Sequence, residues 1–190
     1  MIVVVGRLDQ PRTALVAHRA AARGARVEVV ATAAPGAVGD RHLAELAAVG
    51  VGHAAVLRTP AASLGPADLE LALRYLPDIG VVVVADDAAA LGATAAAAAA
   101  WSGARLVLVV TADAADETPT TGVADLVPIV LEAPASDPDG AFAGLVGALA
   151  VGLDGGADAA GAWAATLDAL GIEPVGGSQA RSVRPRRAAR

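Results

Sequence analysis

The chain has 190 residues, 55% of them hydrophobic, with 14 basic side chains against 20 acidic ones for a formal charge of −6. That length suits one domain with a real core, and no apolar run is long and uninterrupted enough for a membrane span; the longest greasy stretch, 88–101, is dominated by small alanine side chains. Cysteine, lysine and asparagine are absent, which excludes disulfides, thiolate metal sites, cysteine nucleophiles, Schiff-base chemistry, a phosphate-loop lysine and any site built on an Asn amide.

Taken in chain order, short Val/Leu runs alternate with longer alanine-rich runs of helical character. A strand is predicted at 2–5 and a helix at 12–23, closed by Gly24. A second strand at 26–31 leads to a helix at 38–49, closed by Gly50, and a third at 54–58 to a helix at 66–76, opened by Ser63 and Pro66. A strand at 80–85 is followed by Asp86 or Asp87 as a cap for the helix at 88–102. Strands at 105–110 and 126–131 and helices at 141–151 and 157–170 complete the pattern. The strands are continuously apolar rather than alternating, as in a parallel sheet covered on both faces. The expected fold is a three-layer α/β/α, Rossmann-like domain with a mainly parallel sheet, spanning 1–176, followed by an Arg-rich tail over 177–190. The chain enters its first strand at once, without a charged leader, so a cytoplasmic location is expected.

Ligands of parallel α/β sheets bind beyond the carboxyl ends of the strands. Asp9, Asp86, Asp87 and Asp113 fall there. Asp86, Asp87 and Asp113 together have the chemistry to hold a hard cation such as Mg²⁺; the same residues also suit helix caps and solvated loops. His18, His42 and His53 sit in separate elements without metal-ligand spacing, and His18 and His42 are expected on helix surfaces. The nucleophile elbow of serine hydrolases, the phosphate loop and the full dinucleotide fingerprint are missing. Residues 1–180 carry 9 Arg and all 20 acids, and the last ten carry 5 Arg and no acid. Such a tail is either solvated or engaged with an acidic surface or nucleic acid. Four scattered aromatic residues offer no stacking platform, so nucleic acid is not the expected partner.

Four stretches, in order, resemble the ribokinase (PfkB-type carbohydrate and nucleoside kinase) family: residues 20–30 (AAARGARVEVV), 36–51 (GAVGDRHLAELAAVGV), 125–133 (DLVPIVLEA) and 141–153 (AFAGLVGALAVGL). A later P-V-G-G at 174–177 is similar to the family's P-G-A. The resemblance implies a ribokinase-like domain, here shortened. Arg58-Thr59-Pro60 runs almost directly into 64–68, and the first strand directly into its helix, leaving no room for the family's β-clasp lid. The resemblance also places the family's G-A-G-D motif, an anion hole with a general base, on Asp137-Pro138-Asp139-Gly140. Gly140 stands where the catalytic aspartate would be, and a one-residue shift offers only Asp139. The N-x-x-E motif keeps Glu132 but has Ile129 for Asn. Asp9 and Glu132 are the remaining candidates for nucleotide or ligand contact.

These matches imply a relative of the carbohydrate kinases without phosphotransfer, acting as a binding or assembly protein, with no cofactor expected. The alternative is an active carbohydrate or nucleoside kinase, or a phosphotransferase that uses ATP, Mg²⁺ and the strand-end carboxylates; an unrelated Rossmann-like binding module is the third reading. Alanine-faced helices suggest a homo-oligomer, and no membrane partner is expected.

Overall fold

The structure is a computed structural model and describes residues 1–60, 63–111 and 126–172. The elements, in chain order, are β1 (Ile2–Arg7), α1 (Pro11–Ala21), β2 (Val27–Ala33), α2 (Ala37–Ala48), β3 (Gly52–Arg58), α3 (Pro66–Tyr75), β4 (Val81–Val84), α4 (Ala88–Ser102), β5 (Arg105–Thr111), β6 (Ile129–Ala133), α5 (Ala141–Asp154) and α6 (Ala159–Ala169). Every strand pairing is parallel, and the six strands form one sheet in the order β3-β2-β1-β4-β5-β6. Among the described residues there is no second sheet.

The strand side chains sort the layers. Ile2 and Val4 point into one cluster with Val16, Ala17, Leu46 and Leu149, so α1, α2 and α5 cover that face. Val3 and Val5 point into the other, with Leu69, Leu73, Leu91 and Ala95 from α3 and α4. Both faces being covered, Val81 to Val84 are all 0% exposed, each contributing about 1.5–3 kcal/mol of hydrophobic burial before the entropy of ordering is subtracted. That is why these runs are unbroken rather than alternating.

Four local readings are corrected. Ser63 does not cap α3; the N-cap is Gly65, with Pro66 supplying the preset φ of the first turn. Neither Asp86 nor Asp87 caps α4 through its side chain. Asp87 holds the N-cap position in the left-handed conformation (φ 57°, ψ 33°), whereas a capping side chain needs an extended backbone to reach the amides of the next turn. β6 starts at Ile129 rather than 126, because Pro128 has no N–H to give a ladder. His18 and His42 are half-buried instead of lying on the surface, and the Nε2 of His18 is buried with no hydrogen-bond partner. Gly24 and Gly50 end their helices as expected, at φ +84° and +74°. The predicted domain end at 176, the tail and Asp113 lie outside the described residues.

Candidate functional site

The strand order reverses between β1 and β4: β2 and β3 lie to one side, β5 and β6 to the other. Connections leave the two sides on opposite faces, so a crevice opens beyond the carboxyl ends of β1 and β4. A cavity of about 360 Å³ is found there, lined among others by Arg7, Gln10, Arg12, Asp86, Asp87 and Thr111. A larger cavity of about 560 Å³ sits where Ala99, Gly103, Leu126 and Val127 meet, with Arg105 the one charged side chain among the described residues that line it. The smaller one has the convergent polar groups expected of a binding site.

Gly6, the close of β1, lets α1 approach. A Cβ there would lie 2.1 Å from Thr13 Oγ1 and 2.9 Å from Asp86 Oδ2. Thr13, fully buried, donates its hydroxyl proton to Asp86 Oδ2 at 2.5 Å and accepts the Arg7 backbone N–H at 3.2 Å. Arg12 reaches across from α1 to donate to Asp86 Oδ1 at 3.3 Å and to the Ala85 carbonyl at 3.1 Å. Asp86 is thereby committed to tying α1 to β4. Arg7 turns outward and grips Asp9 with two bonds, at 3.0 and 2.6 Å. That pairing lowers the Asp9 carboxyl below its ordinary value and raises Arg7.

Asp87 is different. Its Oδ2 is buried with no partner among the described residues, and its backbone is left-handed. Burial pushes its carboxyl pKa up; the nearby Arg7 pulls it back, and Asp86 and Asp9 add to the rise. Asp87 thus lines the crevice while one of its oxygens is buried without a donor, an arrangement that ordinarily carries a cost.

The other sequence candidates do not converge here. Glu132 is exposed on β6, three strand spacings from β1, roughly 14 Å away. Asp139 is exposed before α5. Gly140 is the α5 N-cap, at φ +64°. Among the described residues no three His, Asp or Glu side chains come together to hold a metal; Asp86 is engaged by Thr13 and Arg12, and Asp113, the third member of the predicted set, lies outside the described residues. The decisive group at α5 is Asp137. Its carboxylate accepts the backbone N–H of Phe142 and of Ala143, each at 3.0 Å, and so fills the helix N-terminus with the chain's own negative charge. Sequence reading missed Arg12 and Thr13 and gave Gly6 no role beyond its place at the strand end. The signal was there in a glycine closing a valine strand and a lone hydroxyl on the apolar face of α1.

These features define a doubly wound parallel α/β domain with a polar crevice at its switch point. Its architecture is the ribokinase-like fold of carbohydrate and nucleoside kinases. No protein-family model and no curated protein matches the sequence. Among solved structures it is similar to a ribokinase II from E. coli, with a TM-score of 0.58 and 12% identity over 87% of this chain and 89% of that one. It is also similar to phosphofructokinase-2 from Escherichia coli (0.54, 15%, 84% and 82%). A third likeness is to aminoimidazole riboside kinase from Salmonella enterica (0.52, 14%, 89% and 90%).

Proposed function

We propose that this protein is a ligand-binding relative of the ribokinase-type carbohydrate kinases that does not transfer phosphate. The observation that carries this reading is Asp137. Where the sequence resemblance puts an anion hole, the Phe142 and Ala143 amides in the first turn of α5 already hold a carboxylate. A phosphate oxygen brought there meets like charge instead of donors, and Gly140 has no side chain to take a hydroxyl proton. Loss of a general base typically costs 10²–10⁴-fold, and lost electrostatic stabilisation adds to it. The crevice at β1 and β4 supports the binding half of the proposal: a small hydroxylated molecule would give Asp87 the donor it lacks.

The test pairs binding with turnover. ATP or ADP with Mg²⁺ should leave the melting temperature unchanged, whereas a nucleotide at a hundred times its Kd would stabilise by about 2.7 kcal/mol. Phosphorylation of ribose, fructose phosphate or nucleosides should stay at background; robust turnover by the unaltered protein overturns the reading. A melting-temperature screen of sugars and polyols should find ligands whose shift is absent in Asp87→Ala. Should nucleotide and Mg²⁺ bind tightly, the second reading, an active phosphotransferase that uses Asp87 and the Asp113 outside the described residues, takes its place.

A further inference from the structure

The large apolar side chains that the fold leaves in water gather on one layer. Among the described residues eight are exposed, and three of them, Leu71, Tyr75 and Trp101, stand on α3 and α4, which pack side by side over the same face of the sheet. The other five are spread over α2, β3, the approach to β6 and the end of α6. Tyr75 is 79% exposed and Trp101 59%. Each occupies the last turn of its helix, at the end of the layer next to the amino ends of the strands, and Leu71 lies one turn before Tyr75. Clustered exposure of this kind marks a contact surface.

The two helices differ in relief and share a lack of free positive charge. α3 presents the bulky Leu71 and Tyr75, whereas the outward residues of α4 are Ala89, Ala90, Ala93, Ala97, Ala100 and Trp101, and α4 has no charged residue along its length. Arg74, the one basic residue on these helices, is paired with Glu70, and Asp68 stands in the first turn of α3, at the far end from Tyr75. We propose that this layer is the interface of a two-fold dimer in which α3 of each copy lies on α4 of the other. The axis runs between the two helices and along them, so every contact is made twice. Leu71 then faces the alanine stripe of the second copy, large against small, and Tyr75 meets the partner's Trp101 in an aromatic pair. Charge selects this occupant. Copies with a formal charge of −6 repel one another over most of their surface, and here they meet while desolvating little more than one neutral ion pair. A membrane surface is disfavoured, because a helix lying in the lipid interface needs unpaired Lys or Arg on its polar face. Helices of 10 and 15 residues side by side make a face of about 22 by 20 Å. That is below the roughly 800 Å² per partner of a standard interface, so the dimer forms with rising concentration and is not obligate.

Light scattering of the full chain across a concentration series should show the mass rising from 18.5 kDa toward twice that value. Trp101→Ala and Ala97→Glu, both at exposed helix positions, should leave the circular dichroism unchanged and each raise the dimer dissociation constant about 10-fold or more. Tyr75→Ala combined with Trp101→Ala should raise it by less than the product of the two single effects, because both remove the same contact. Val38→Gln, which removes a comparably exposed side chain from α2, should leave the mass curve as it was. A mass that stays at 18.5 kDa at every concentration overturns the proposal. So does a dimer that survives both Trp101→Ala and Ala97→Glu, or one that Val38→Gln weakens as much. Monomers that float with phosphatidylcholine vesicles assign the face to a lipid surface, which overturns it as well.

Discussion

Gly6 and Asp87 set the terms of the crevice at the level of single residues. Gly6→Ala puts a methyl group against Thr13 and Asp86, so α1 must retreat and the Thr13–Asp86 bond must break. A loss of about 1–3 kcal/mol in denaturant unfolding is expected. Asp87→Asn should act the other way. The raised carboxyl pKa of Asp87 means that the folded state binds its proton more readily than the unfolded one. Stability therefore falls as pH rises from the ordinary aspartate range through the raised native value. Asn removes the charge and tolerates the left-handed backbone. The variant should melt higher at neutral pH, by a few degrees at most, and the gain should fade as the pH drops to ordinary carboxylate values. A gain that is the same at acid and neutral pH would mean that backbone preference alone is at work. Asp9, lowered by Arg7, has the opposite sign: its contribution is full above the ordinary aspartate value and is lost as pH falls through the lowered one. Its exposure makes that contribution salt-sensitive.

At the scale of elements, α5 is fixed by two close fits. Gly147 faces α1 so tightly that a Cβ would lie 3.0 Å from Arg19 Cβ and 3.2 Å from the Val16 carbonyl oxygen. Gly147→Val should force the helices apart and cost about 1–3 kcal/mol, seen as a lower urea midpoint with an unchanged slope. The N-terminus of α5 depends on Asp137, which reaches forward from the preceding loop because Gly140, in the left-handed conformation, leaves its own position without a capping side chain. Asp137→Ala should cost about 0.5–2 kcal/mol, the ordinary value of a helix cap. α6 keeps a simpler cap, Asp158 accepting the Gly161 N–H at 2.7 Å.

Over the whole molecule, the open question of assembly falls on α4. Its outward residues are alanines and Trp101, which is 59% exposed, and a helix apolar all round belongs against another surface. Among the described residues no helix is long and apolar enough to cross a membrane. Self-association is the expected outcome, measured by light scattering across a concentration series; a mass that stays near 18.5 kDa at high concentration would rule it out.

The sequence alone determined the class of fold. Unbroken valine runs can bury only in a sheet covered on both faces, and the alanine-rich runs between them are long enough to be those covers. Every predicted helix and strand among the described residues is found, displaced by a few residues at most. Sequence also placed Asp9, Asp86 and Asp87 at the strand-end side of the molecule, together with Asp113, which lies outside the described residues. Only the tertiary structure decided what each one does, because an aspartate's role depends on which donors reach it and from which element. Thr13 and Arg12 come from α1 to take up Asp86, just past the end of β4 and more than seventy positions away. Asp87, its immediate neighbour, has a left-handed backbone and one buried oxygen without a partner among the described residues. Asp137 accepts the backbone N–H of Phe142 and of Ala143 at the start of α5, a pairing that only the path of the preceding loop decides. Local sequence fixes periodicity and punctuation; distance between elements and the direction of a side chain are set by packing.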